Sequence, residues 1–261
     1  MIPLEYAPLA GGLVGFIVGL TGVGGGALMA PILLFGFGFD LATVVATDLL
    51  FATITKIFAG GIHSKNKLVD WQITKRLWIG SIPACIFIVV LAQSGLLFES
   101  PDWLITILGS LIIFSGLAML LGRRIQSLQR VRRISSPKHF LSLQKPATIA
   151  GGCILGSLVT ATSIGAGALG SITLRALYPL RMTAPKLIAT DTVHAIPVSL
   201  LGGLSYLMLG YTNLSLLGLL IIGSIPAAIV AGQLANKIPS HHIKMILGSA
   251  LIIAGLKLTL S

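Results

Sequence analysis

Apolar residues follow one another in long runs along this chain, and polar residues gather between the runs. Runs without Asp, Glu, Lys or Arg cover residues 77–94, 103–122, 214–235 and 245–255. A helix needs about 20 mostly apolar residues to cross the hydrocarbon core of a bilayer. The first three runs reach or approach that length, and the fourth does so if Lys257 extends its ammonium group to the interface. The pattern therefore predicts several membrane-spanning helices.

This pattern occurs twice in the chain. GSIPA starts at Gly80 and again at Gly223, and ATD starts at Ala46 and again at Ala189, so both pairs share one offset (223 − 80 = 189 − 46 = 143). Near the end of the copies the offset falls to 139, because ILGSLIIFSGL and ILGSALIIAGL start at positions 107 and 246 (246 − 107 = 139). The internal repeat covers nearly all of the chain.

Each copy contains four apolar segments, of which the first is broken by glycines. The segments cover about 8–38, 42–62, 74–94 and 103–122 in the first copy, and about 147–178, 185–210, 214–235 and 243–260 in the second. We expect an all-α integral membrane protein with two four-segment repeats, residues 1–122 and 147–261. A basic cytoplasmic linker over 123–146 joins them.

The composition excludes a soluble protein of this size. The 261 residues are 55% hydrophobic and 10% charged, with a mean hydropathy of +0.98, whereas a soluble domain carries about 25% charged residues. The formal net charge of +11 comes mostly from basic residues between the apolar segments, as the positive-inside rule describes for cytoplasmic loops. We expect a multi-pass protein of the lipid bilayer, located in a bacterial inner membrane and without a nucleic-acid partner.

The charged loops indicate how the repeats are oriented. Basic loops follow segments two and four in the first repeat but segments one and three in the second, while Glu99 and Asp102 follow segment three of the first. Eight full crossings would place the basic loops of the two repeats on opposite sides, against the positive-inside rule. The conflict disappears if each glycine-broken segment is re-entrant, so that the repeats are inverted and both termini lie outside. Inverted repeats with broken helices are a transporter architecture.

The glycine-rich breaks satisfy a nucleotide-binding pattern without its context. Residues 22–27 fit G-x-G-x-x-A, residues 165–170 fit G-x-G-x-x-G, and each break is followed after about 20 residues by an aspartate, Asp48 or Asp191. That pattern belongs after a strand in a βαβ unit. Here it interrupts membrane segments, so nucleotide binding is disfavoured.

Two interpretations of the glycines remain. Gly11, Gly15 and Gly19 are four residues apart, as on the small-residue face of a closely packed helix. Consecutive glycines destabilise a helix by up to about 1 kcal/mol each relative to alanine, so GVGGG favours an unwound break. Such a break can line a cavity, where the N–H groups that start the next half-helix suit an anion. The candidate substrate-binding residues at the two breaks are Thr21, Gly22, Gly24, Gly25, Gly26, Thr162, Ser163, Gly165 and Gly167.

Four ionisable residues lie within the apolar segments and are candidates for coupling or proton relay. Asp48 and Asp191 are equivalent in the repeat; they indicate function at membrane depth but would be helix caps near the interface. His194 lies one turn after Asp191 and is either part of a proton relay or a hydrogen-bonded packing residue. Lys56 lies two turns after Asp48 and could offer charge to an anion, although the pattern slightly favours extension towards the cytoplasmic interface.

These features resemble one known family. GLTGVGGG near the N-terminus, the repeated four-segment unit, and TSIGAGALG with ATDTVHAIP in the second half are similar to the sulfite exporter TauE/SafE family of membrane transporters. The resemblance covers essentially the whole chain and implies a small anionic substrate such as sulfite or an organic sulfonate. The hydroxyls of Thr160, Thr162 and Ser163 could donate to sulfonate oxygens, with hydrogen bonds back to helix carbonyls as the alternative.

The expected function is secondary transport of a small anion, with export as the direction that the family implies. A proton or ion gradient would supply the energy, because the chain has no GxxxxGK[ST] sequence for ATP. A passive anion channel is the alternative. The chain has neither HExxH nor G-x-S-x-G, so we expect no enzyme activity, no cofactor and no metal. The sequence leaves the substrate, the coupling ion and a homodimer open.

Overall fold

The regular structure in the described part of the chain is helical. The computed structural model describes residues 2–21, 26–65, 67–95, 101–135, 137–234 and 240–260. The α-helices are α1 (Ala7–Thr21), α2 (Gly26–Pro31), α3 (Leu41–Lys65), α4 (Trp71–Gln93), α5 (Pro101–Ser135), α6 (Pro137–Thr162), α7 (Ala168–Leu177), α8 (Ala184–Met208), α9 (Leu214–Leu234) and α10 (Ser240–Leu260). A 3-10 turn at Leu4–Tyr6 precedes α1, and a π-helical turn at Ile32–Phe37 continues α2.

Five helices of the described residues are long and apolar enough to cross a membrane. They are α3, α4, α5, α8 and α9. The first segment of the second repeat is discontinuous, as predicted, because α6 ends at Thr162 and α7 begins at Ala168. In the first repeat α1 ends at Thr21 and α2 begins at Gly26, and the predicted break at 22–25 lies outside the described residues. The protein therefore combines full spans with two pairs of shorter helices.

Helix α5 does not end where its apolar run ends. It continues from residue 122 to Ser135, and α6 begins at Pro137, so the basic sequence between the apolar segments is largely helical. Arginine, glutamine and leucine are good helix formers, and hydropathy marks the edge of the bilayer rather than the end of a helix. The extension contacts the chain before α8, because the side chains of Gln126 and Arg130 both donate to Pro179 O at 3.3 Å.

The helix bounds follow the sequence repeat. Helices α3 and α8 both have 25 residues, and their first positions differ by 184 − 41 = 143. The first positions of α4 and α9 differ by the same amount (214 − 71 = 143), and those of α5 and α10 differ by 240 − 101 = 139. These are the two offsets found in the sequence.

Each half packs its broken segment against the other half. Helix α1 lies along α9, and α6 lies along the equivalent helix α4. A Cβ added at Gly11 would overlap Leu220 O, and one at Gly152 would overlap Leu77 O, which is equivalent to Leu220 in the repeat. Gly15 approaches Ser224 in the same way. The predicted small-residue face of α1 is therefore a helix–helix contact.

Equivalent helices of the two halves run antiparallel. Gly60 of α3 lies against Val193 of α8, near the start of α8, whereas Leu50 lies against Gly203, near its end. Helices α5 and α10 pair in the same sense, since Gly109 approaches Gly255 and Gly116 approaches Gly248.

Both broken segments are hairpins whose two ends lie together. The amide of Ile2, before α1, donates to Gly36 O at 2.7 Å, in the turn that follows α2. In the second half the hydroxyls of Thr148 on α6 and Tyr178 after α7 are 2.8 Å apart. The chain therefore enters and leaves each hairpin at one end. In the second hairpin the glycine-rich break is at the tip.

Candidate functional site

The tips of the two hairpins meet beside Asp48. Gly26 begins α2 directly after the first break, and a Cβ added there would overlap Ser163 O of the second break. The same Cβ would lie 2.9 Å from Asp48 Oδ2. A residue without a side chain is therefore required at Gly26, and the predicted candidates Gly26, Ser163 and Asp48 come together at one point.

Asp191 lies at the first turn of α7, on the other side of the second break. A Cβ added at Gly170 would overlap Asp191 Oδ1, so the carboxylate is against the backbone of that turn. The break itself uses left-handed backbone, with φ of 136° at Gly165 and 106° at Gly167, a conformation that suits glycine. The predicted glycines of the second break therefore determine the backbone of a tip that lies beside the buried carboxylate of Asp191.

Neither aspartate is a cap of its own helix. Asp48 is the eighth residue of α3 and Asp191 the eighth of α8, and their exposed fractions are 0% and 2%. At the start of α3 the cap is Asp40, whose Oδ1 accepts from Thr43 N at 3.0 Å. The alternative that either aspartate caps the start of its own helix is therefore contradicted.

Several polar atoms at the hairpin tips are buried without a partner among the described residues. They are both carboxylate oxygens of Asp48, Asp191 Oδ1, Ser163 Oγ and His194 Nδ1. Leaving one such group unsatisfied costs about 1–3 kcal/mol, and more if it is charged. Ionisable groups placed like this inside a membrane protein indicate a binding or ion-transfer site.

Lys56 belongs to the interior of the protein. Its exposed fraction is 7%, and it interacts electrostatically with both Asp48 and Asp191. The sequence slightly favoured extension of this ammonium towards the cytoplasmic interface, and the structure contradicts that expectation. The reason is that α3 packs along α8 and also contacts α9, so the face of α3 that carries Lys56 is turned towards protein rather than lipid.

His194 is held by the third helix of the first repeat. Its Nε2 lies 3.0 Å from Ser81 Oγ, and its backbone oxygen accepts from Trp78 Nε1 at 3.0 Å. Ser81 and Trp78 were not predicted as site residues, although Ser81 is the serine of the repeated GSIPA motif. The equivalent Ser224 has no hydrogen-bond partner in the described part of the chain.

The threonine hydroxyls of the second break bond to their own backbone. Thr160 Oγ1 donates to Gly156 O at 2.8 Å, and Thr162 Oγ1 donates to Leu158 O at 2.6 Å while it accepts from Ile164 N at 3.2 Å. Ser163 alone of these three has a hydroxyl without a partner. Of the first break, Gly22, Gly24, Gly25 and the side chain of Thr21 lie outside the described residues.

Comparison with known proteins identifies the family. The sulfite exporter TauE/SafE family matches residues 7–258. The chain is 31% identical over 252 residues to the probable membrane transporter protein YjnA of Bacillus subtilis (strain 168). The aligned residues cover 96% of this chain and 97% of that protein. It is 28% identical over 264 residues to the probable membrane transporter protein MJ0441 of Methanocaldococcus jannaschii, and the aligned residues cover 94% of this chain and 92% of that protein.

No solved structure matches the chain significantly. The family match and the apolar spans together make this a multi-pass membrane protein of a transporter family. The chain belongs to the sulfite exporter TauE/SafE family.

Proposed function

We propose that the protein is a secondary transporter that exports a small anion such as sulfite or an organic sulfonate, driven by a proton or ion gradient. The observation that carries the proposal is the meeting of two hairpins around the buried carboxylates of Asp48 and Asp191, of whose four oxygens three have no hydrogen-bond partner among the described residues. Transporters place their sites where discontinuous helices meet near the bilayer midplane. The substrate class follows from the name of the family, which is that of a sulfite exporter.

The proposal includes two inverted repeats with re-entrant hairpins. It is supported by the antiparallel packing of α3 with α8 and of α5 with α10. It is also supported by the ends of the hairpins, which lie together at Ile2 and Gly36 in one half and at Thr148 and Tyr178 in the other. Each hairpin would then enter from its own side and bring its tip to the middle of the protein.

The charges support the orientation of this arrangement. Glu5 and Asp40 lie near the end where the first hairpin opens, and basic residues lie at the opposite end, near the starts of α4 and α8 and along the extension of α5. The described basic residues of that end are Lys67, Lys75, Arg76, Arg124, Arg130, Lys145, Arg181 and Lys186. The positive-inside rule then places the basic end in the cytoplasm and both termini outside.

The chemistry of the tips suits a small anion. A half-helix starts at each break, and its first N–H groups carry partial positive charge. The amino group of Lys56 lies within electrostatic range of both aspartates. An oxoanion that enters from either side would reach the same group of residues, so relative movement of the two hairpins would change which side has access.

Transport by the purified protein tests this function. Proteoliposomes loaded with unlabelled sulfite should take up labelled sulfite by saturable counterflow, and those loaded with methanesulfonate test the sulfonate class. A passive channel would instead give an anion conductance across a planar bilayer with little saturation. Flux no greater than that of protein-free liposomes for both anions would contradict the proposal.

A further inference from the structure

The N-terminus of α7 already holds an anion of the protein itself. Helix α7 has ten residues, Ala168–Leu177, and its cap Gly167 offers no side chain. Asp191 Oδ1 lies against Gly170 in the first turn, with 2% of the residue exposed and no hydrogen-bond partner at that oxygen among the described residues. A carboxylate stabilises this end of a helix, so Asp191 occupies the place that suits an anionic substrate.

A substrate anion and an ionised Asp191 exclude each other there. Both would use the N–H groups that begin α7, which have no partner within the helix, although not that of Gly170, which donates to Gly165 O at 3.0 Å. Two like charges at that separation in a site of low polarity repel strongly. Protonation of Asp191 removes its charge and leaves the N–H groups free.

We infer that Asp191 and the transported anion alternate at the N-terminus of α7, so that one proton binds to Asp191 with each singly charged anion. The inference rests on the proposed transport of a small anion, and it names the coupling ion and the residue that carries it. The proton passes from water to the carboxylate when the anion binds, and returns to water when the anion leaves. Anion and proton therefore cross together, without net charge. Export by this exchange follows the outward gradient of the anion, whereas an inward proton gradient would favour uptake.

The charged groups around Asp191 fit this exchange. Lys56 of α3 interacts with Asp191, with Asp48 and with His194. His194, on the same helix as Asp191, is held by Ser81 of α4. When Asp191 is neutral, the amino group of Lys56 is the nearby basic group that can interact with the incoming anion.

Asp48 does not fill the equivalent role. It lies beside Gly26, where the nearest backbone atom from the other hairpin is the carbonyl oxygen Ser163 O. A carbonyl oxygen is an acceptor, so an anion that displaced Asp48 would meet negative partial charge. The helix that starts there, α2, has only six residues. We therefore assign the exchange to the second hairpin.

Calorimetric binding of methanesulfonate at pH 5 to 9 tests the inference, because its single charge is constant over that range. The full-length protein in lipid nanodiscs should take up one proton per anion, measured in buffers of different ionisation enthalpy. In the range where Asp191 is ionised, Kd should rise tenfold per pH unit. Asp191→Asn should bind with a Kd that does not change with pH and lies within about threefold of the wild-type value at low pH.

A variant outside the site separates this carboxylate from others. Asp40→Asn should match the wild type at every pH, because an asparagine oxygen can also accept from Thr43 N. Melting temperature and elution volume report whether each variant is folded, and proton uptake by the wild type tests the inference without any variant.

The outcomes distinguish the two levels of the proposal. Binding of methanesulfonate without proton uptake, or an unchanged pH dependence in Asp191→Asn, overturns the exchange at α7 and leaves anion transport standing. An absence of binding to methanesulfonate, sulfite and sulfate at every pH overturns the proposed function and this inference together.

Discussion

Arg181 and Asp70 form an ion pair with two contacts, at 2.6 Å between Nε and Oδ2 and at 2.8 Å between Nη2 and Oδ1. The pair joins the chain between α7 and α8 to the residue that caps α4. The residue equivalent to Arg181 in the first repeat is Gly38 (181 − 143 = 38), so no matching pair can form there. The basic end of the molecule is therefore held by a contact that the opposite end lacks.

Loss of this ion pair should weaken the fold slightly and in a salt-dependent way. The Arg181 side chain is 46% exposed, and exposed pairs contribute about 0.2–1 kcal/mol. Arg181→Gln should lower the melting temperature at low ionic strength, and the difference should shrink in about 1 M salt because the charges are screened. Lys186→Gln, an exposed substitution on α8, is the matched control. An equal effect of both substitutions would contradict the role of the pair.

Ser81 should matter more for stability than its repeat equivalent Ser224. Ser81→Ala leaves His194 Nε2 without its partner at 3.0 Å, which should destabilise the protein by about 1–3 kcal/mol. Ser224 Oγ has no partner in the described part of the chain. The reason is that the residue equivalent to His194 in the first repeat is Phe51 (194 − 143 = 51). Thermal unfolding in detergent of the two alanine variants measures the difference, and equal losses would refute it.

The close contact of α1 with α9 should make Gly11 intolerant of an added side chain and its neighbour Gly12 tolerant of one. A Cβ at Gly11 would overlap Leu220 O, whereas a Cβ at Gly12 would lie 3.5 Å from Gly223 O, an ordinary contact. Gly11→Ala should force the helices apart and destabilise the protein by about 1–3 kcal/mol. Gly12→Ala should change stability by less than about 0.5 kcal/mol, and the two melting curves provide the comparison.

Gly170→Ala should abolish transport in a protein that still inserts. The added Cβ overlaps Asp191 Oδ1, so the carboxylate must leave the first turn of α7. Gly151→Ala on α6 is the control, because its Cβ would meet only the Thr173 methyl group, at 3.0 Å. Counterflow of labelled sulfite measures both variants, and full activity of Gly170→Ala would contradict the position of the site.

Single cysteines should report the two ends of the molecule from opposite sides of the membrane. Asp40→Cys, at the end where the first hairpin opens, should react with an impermeant maleimide added outside. Lys186→Cys, at the start of α8, should react only after permeabilisation. The exposed native Cys153 must first be replaced, whereas Cys85 is buried. Labelling of both positions from one side would exclude the inverted arrangement.

The sequence predicts the breaks and the aspartates because both depend on local chemistry. Runs such as GVGGG cannot continue a stable helix, and Asp48 stands out inside an apolar run. The environment of Lys56 could not be predicted, because hydropathy gives depth in the membrane but not whether a side chain faces lipid or another helix. Only the packing of α3 against α8 decides that Lys56 is buried.

The hydrogen-bond partner of His194 was also beyond the sequence. Ser81 lies far from it in the chain (194 − 81 = 113), and its motif GSIPA is equally present around Ser224, where the hydroxyl has no described partner. The repeat made the two serines look alike. The difference comes from the equivalent positions of α3 and α8, which hold Phe51 and His194. Contacts between halves decide such differences, and they are set by tertiary structure.

The contact between α1 and α9 also constrains how the protein is made. Gly11 meets Leu220, and most of the chain lies between them (220 − 11 = 209). At a synthesis rate of about 5–20 residues per second, α9 is synthesised about 10–40 s after α1. During that interval the glycine face of α1 has no native neighbour from the chain. Assembly of the first hairpin is therefore completed only when almost the whole protein has left the ribosome.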